Sequence, residues 1–148
     1  RPGLARDVEV ALAVAPGGQI WVADTGRHQL ASFSADGQPQ SSWGKFSSQI
    51  DGFCGCCNPV HFAVLPDGRF VTAEKGIPRV KIYSADGTFE GVVAAPSQFP
   101  EQTICVDDCR IGVALDLATD ASGRVLVLDP GTRVVRVFVH NEILTAQR

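Results

Sequence analysis

The sequence predicts an all-β fold, a partial β-propeller of three four-stranded blades, on three observations. The chain repeats itself: the segment from Leu12 to Asp24 recurs from Phe62 to Glu74 at a gap-free offset of 50 residues, and again 55 residues later from Leu117 to Asp129. Inside the copies apolar residues recur with a period near two, as in Arg79-Val80-Lys81-Ile82-Tyr83, which is the alternation of strands and not the 3.6 of helices. The copies are punctuated by Pro66-Asp67-Gly68, Ser34-Ala35-Asp36-Gly37 and Ser84-Ala85-Asp86-Gly87, where glycine accepts the positive φ of a hairpin turn. Four-stranded units at this spacing close into propellers.

The register extends through each copy. Gly26, Gly76 and Gly131 align, as do Phe33, Tyr83 and Phe138, and Asp36-Gly37 aligns with Asp86-Gly87. In the second copy the strands fall at about 60–65, 69–73, 79–83 and 88–94. The third copy alternates more loosely, from Arg133 to Phe138. The blades fall at about 8–44, 59–95 and 113–148, together one propeller segment over 1–148. No window of a dozen residues has the stripe of an amphipathic helix, so no helix longer than two turns is expected.

Composition excludes several functions. A chain of 148 residues, 45% hydrophobic and 20% charged, is one ordinary domain. A net charge of −3 offers no basic stripe for a nucleic acid. Apolar runs such as Val125–Leu128 are far too short for a membrane span. No charged segment followed by an apolar run is visible at the start of the sequence, so no signal peptide is expected within it. Methionine is absent, so the chain reads as a processed product or the ordered part of something longer. No nucleophile elbow, phosphate loop, dinucleotide fingerprint or HExxH zinc motif is present.

Gly18-Gln-Ile-Trp-Val-Ala-Asp-Thr-Gly-Arg-His-Gln-Leu30, followed by Phe33 and Asp36-Gly37, resembles an NHL repeat. The later copies match more loosely, with Glu74-Lys75-Gly76 and Asp129-Pro130-Gly131 standing where the family has Asp-Thr-Gly. The resemblance covers nearly the whole chain. It implies a ring usually closed by six blades, and a rigid loop face that binds protein partners. Three blades leave two raw sheet edges, so a partner or further blades are expected to complete the ring, and the isolated chain is expected to associate. Some propellers of this kind catalyse through channel histidines bound to metal. This chain lacks such a cluster, so no catalytic residue is carried over.

Five cysteines form two groups, Cys54-Gly-Cys56-Cys57 and Cys105-x-x-x-Cys109. Both lie where one blade crosses to the next, and Cys54 and Cys109 are 55 residues apart, hence equivalent. Crossings share a face with the loops after the second strands, near Asp24, Glu74 and Asp129, so the thiols collect on one face. One reading is disulfides between Cys54 or Cys57 and Cys105 or Cys109, which places the chain in an extracytoplasmic compartment, periplasmic or secreted. A second is a zinc or iron–sulfur site held by Cys54, Cys57, Cys105 and Cys109, with His61 as an outside candidate. A third is inert buried thiols. Cys56 is expected to face away, as neighbours on an extended segment do.

His28 reads as a loop residue and His140 as exposed. Asp24, Glu74 and Asp129 recur, which favours carboxylates accepting N–H groups of their own loops. Asp107-Asp108 reads as a charged loop and Asn58-Pro59 as the turn that launches the second blade. Trp21, Trp43, Phe46 and Phe53 are candidates for a partner surface, with Trp21 mid-strand and better suited to the core. Two functions follow: a non-catalytic interaction or scaffold module within a larger assembly, its cysteine face tied by disulfides, and a redox or metal-binding subunit with a thiolate site.

Overall fold

A computed structural model describes residues 11–100 and 114–140 of the chain. The strands are β1 (Leu12–Val14), β2 (Ile20–Asp24), β3 (Gln29–Phe33), β4 (Pro39–Trp43), β5 (His61–Val64), β6 (Phe70–Glu74), β7 (Arg79–Tyr83), β8 (Phe89–Ala94), β9 (Asp116–Thr119), β10 (Val125–Asp129) and β11 (Val134–Phe138). They form sheets in the orders β1-β2-β3-β4, β5-β6-β7-β8 and β9-β10-β11, each an antiparallel meander. These are three propeller blades. Any fourth strand of the third blade falls outside the described residues. Among the described residues the helical element is a single 3₁₀ turn, Pro96–Gln98.

One hairpin device recurs at the ends of these strands. The amide of Gly37 donates to Ser34 O at 2.9 Å and that of Gly87 to Ser84 O at 3.0 Å. Gly68 and Gly123 close the first turns of the second and third blades in the same way, on Leu65 O and Asp120 O. Gly87 is fixed twice over. Its φ is +85°, and a Cβ there would lie 2.4 Å from the Trp43 ring of the neighbouring blade.

Two cores lie between the blades. The face of the first sheet carrying Trp21, Ala23, Leu30 and Trp43 packs on Phe62, Phe70, Tyr83 and Phe89 of the second. The other face of the second sheet, with Val71, Ala73, Val80 and Ala94, packs on Leu115, Val125 and Val127. The middle blade is therefore covered on both faces, and all five residues of β6 are buried. The inner strands are also joined directly: Thr119 Oγ1 donates to Val64 O at 2.7 Å.

Covering both faces changes what alternation means in β7. Val80 and Lys81 still point to opposite faces, yet both are fully buried. The lysine does not mark a solvent face. It enters the interface with the first blade.

Candidate functional site

The face bearing the crossing between the first two blades is where most of the singled-out residues gather. The crossing folds back on itself through a parallel bridge between Phe46 and Phe53, with Phe53 N donating to Lys45 O at 2.9 Å. The second blade grips it from below. Lys81 Nζ donates to Gly52 O at 2.6 Å and Ile50 O at 3.1 Å, and Tyr83 Oη to Asp51 O at 3.3 Å. The ammonium also lies 4.5 Å from the Phe53 ring centroid, a cation–π contact strengthened by desolvation.

Burying a cation demands a counter-charge. Glu74 Oε2 supplies it at 3.3 Å from Lys81 Nζ, and the same carboxylate receives Arg79 Nε at 2.7 Å and Nη2 at 3.1 Å. Recurrence predicts that Glu74 holds its own loop through backbone N–H groups, and the structure corrects this. Its longer side chain reaches two cations on β7 instead. Asp24 and Asp129 do behave as expected: Asp24 accepts Arg27 N at 3.1 Å, and Asp129 accepts Gly131 N at 3.1 Å and the Thr132 hydroxyl at 2.7 Å.

The grip repeats at the next interface. Arg136 stands 55 residues after Lys81 and Asp129 stands 55 after Glu74. Arg136 Nη2 lies 3.5 Å from Asp129 Oδ2, and the guanidinium lies 5.6 Å from the Phe99 ring centroid. In the first blade Ala31 stands 50 residues before Lys81, so that face has no such cation.

Burial holds Lys81 down to about 8 from its ordinary 10.5, with Glu74 opposing the shift and Arg79 assisting it. Burial and the Glu74 charge push the Tyr83 hydroxyl up. Arg79 is raised, because its bonds to Glu74 outweigh the burial that would lower it. Between pH 8 and 10.5 the unfolded chain therefore carries a proton on residue 81 that the folded chain has shed. Stability should rise with pH across that window. Chemical denaturation of wild type against Lys81→Met checks this: the wild type gains relative to the variant as pH rises, and parallel profiles would refute it.

The cysteines lie just beyond this grip. Cys54 is half-buried while Cys56 and Cys57 are exposed, all three as free thiols. The segment is a tight turn and not extended, with φ of +78° at Gly55 and +68° at Cys57. The extended backbone from which Cys56 was expected to face away is therefore not what forms. Burial and the neighbouring Cys56 thiol raise the pKa of Cys57. Cys105 and Cys109, like Asp107-Asp108, lie outside the described residues, and so does the expected approach of the two cysteine groups.

Asn58, which the sequence marks only as a turn, anchors the thiol turn. It is 1% exposed. Its amide donates to Cys54 O at 2.7 Å and Lys75 O at 3.1 Å and accepts Lys75 N at 2.9 Å. His28 Nδ1 lies 3.1 Å from Asn58 O, which fixes the protonated nitrogen, since a carbonyl only accepts. His61 faces the third blade, with Nδ1 3.5 Å from Asp116 Oδ1. Among the described residues no three His, Cys, Asp or Glu side chains converge as a metal-binding group. Phe46 is exposed and meets the His28 ring edge-on at 5.1 Å. Ile77 is exposed beside Lys75.

No curated protein sequence matches the chain. A crystal structure of a protein of unknown function from Bacteroides caccae is similar over 95% of this chain at 12% identity, with a TM-score of 0.61. The chain spans 46% of that protein. The family model of the NHL repeat matches residues 10–33, the strands that the sequence aligns best with that repeat. Residues 10–33 are thus similar to an NHL repeat, and the fold that continues from them is a run of propeller blades.

Proposed function

We propose that the chain is a non-catalytic interaction and scaffold module, a segment of a larger propeller whose loop face binds protein partners. The observation that carries this is a pair of bare blade faces. Leu12 and Val14 are 66% and 64% exposed on the first blade's outer face, and Val135 and Val137 are 58% and 51% exposed on that of the third. No described residue covers them. The equivalent faces of the middle blade are buried by neighbouring blades, so the surface that fits here is another blade of the same kind. The partial span of the similar structure supports this reading. The recurrent carboxylates fit a scaffold: Asp24 and Asp129 hold their own loops and Glu74 holds the two cations of β7.

The cysteine tie is a component of the proposal: disulfides linking Cys54 or Cys57 to Cys105 or Cys109, formed in an oxidising extracytoplasmic compartment. The alternative is a zinc or iron–sulfur site on Cys54, Cys57, Cys105 and Cys109. Thiol counting without reductant, with elemental analysis for iron and zinc, separates them.

Bare faces make a solution prediction. Light scattering of the purified 15.7 kDa chain should show self-association, and Val137→Asp or Leu12→Asp should reduce it. A monodisperse wild-type monomer would refute the reading.

A further inference from the structure

The two seams between the blades follow one plan but are filled differently. In the first, the Trp43 ring stands between the blades, its centroid 5.3 Å from that of Phe70 and 4.9 Å from that of Tyr83. Trp43 pairs with Leu30 across β3 and β4. Leu30 recurs 50 residues on as Val80, and the residue paired with Val80 is Ala94. A methyl group therefore stands in the second seam where the first has an indole. The third blade does not make up the loss: Phe70 recurs 55 residues on as Val125, and Tyr83 as Phe138. The room left is a cavity of about 290 Å³, with Val125 and Phe138 on one wall and Ile82, Gly91 and Val93 on the other.

We propose that this cavity binds a small, uncharged two-ring aromatic molecule that carries an N–H or O–H donor. An apolar cavity of about 150 Å³ takes a single benzene ring, so this one has room for two fused rings. Apolar walls with a few polar groups are the usual make-up of a small-molecule site, and here the polar lining is Arg69, Glu90 and His140. Arg69 is already engaged, with Nη1 3.5 Å from Glu90 Oε2 and Nε 2.8 Å from Asp67 Oδ2. The Glu90 carboxylate only accepts hydrogen bonds, so it selects a ligand that donates. Two carboxylates around one guanidinium leave this edge with an excess of negative charge, which disfavours an acid. This inference stands apart from the interaction reading.

The test titrates the 148-residue chain with indole, benzothiophene and indole-3-carboxylate by ligand-observed NMR. Indole should bind saturably. Benzothiophene, of similar size without the donor, should bind about threefold or more weakly, and indole-3-carboxylate should not bind. Ala94→Trp supplies the missing ring from the protein itself and should abolish indole binding. Val125→Phe fills the same space from the third blade, with the residue that the first seam uses, and should do the same. It keeps the test decisive if Ala94→Trp does not fold, which circular dichroism of both variants checks. Leu12→Asp and Val137→Asp, on the bare blade faces, should leave indole binding unchanged. No saturable binding of indole, equal binding of the three molecules, or binding retained by a folded Val125→Phe overturns the proposal. Binding lost in Leu12→Asp or Val137→Asp also overturns it, by placing indole on a bare face, while light scattering tests the interaction reading independently.

Discussion

Glu74→Ala is expected to cost the fold about 3–5 kcal/mol, the scale for removing one partner of a buried ion pair. The carboxylate is 2% exposed and serves two cations at once. Arg79 keeps some access to water and can turn toward it. Lys81 has no exposure and is left with carbonyls and an aromatic ring. The loss should therefore come mainly from an uncompensated ammonium and not from a cavity. Adding Lys81→Met discriminates the two: the double variant should recover most of the stability, because a flexible apolar chain of similar length removes the charge. Denaturant unfolding of the wild type, two single variants and the double variant closes the cycle. Additive losses would show that the two groups do not act as a pair.

Phe70→Ala should cost a similar amount, about 3–5 kcal/mol, by another route. Phe70 is the hub of the interface between the first two blades. Its ring meets Trp21 at 4.7 Å, Trp43 at 5.3 Å and Phe62 at 6.4 Å between centroids. Truncation leaves a void lined by rigid rings that relax poorly. Phe70→Leu keeps most of the volume and should lose far less. Calorimetry of both variants tests this, and equal losses would place the cost in aromatic geometry and not in the void.

The fold was legible because its signals are local. A period of two, a repeated Asp-Gly or Pro-x-Gly turn and a fixed offset all survive in one dimension, and the second blade's strands fall within a residue or two of their expected bounds. The site was less legible because its contacts are long-range. Lys81 looks like an outward residue until a second blade covers it, and the carbonyls it binds are 29 and 31 residues away. The bonds of Asn58 to Lys75 cross 17 residues. The turn at Cys54–Cys57 depends on two positive φ angles, and only Gly55 hints at one. Glu74 in place of Asp was visible, but its extra methylene meant nothing until β7 lay beside it with two cations.

The aromatic hub also determines what can be seen of this protein by optical means. Its two tryptophans and single tyrosine all lie in the seam between the first and second blades, Trp21, Trp43 and Tyr83. The third blade contains none of them. Intrinsic fluorescence and near-ultraviolet absorbance therefore report a single seam, and separation of the third blade from the second passes unseen. Far-ultraviolet dichroism counts strands in every blade. If the blades come apart seam by seam, as stacked repeats do, the two signals will melt at different temperatures, and a tryptophan introduced at Phe138 would reveal the silent seam.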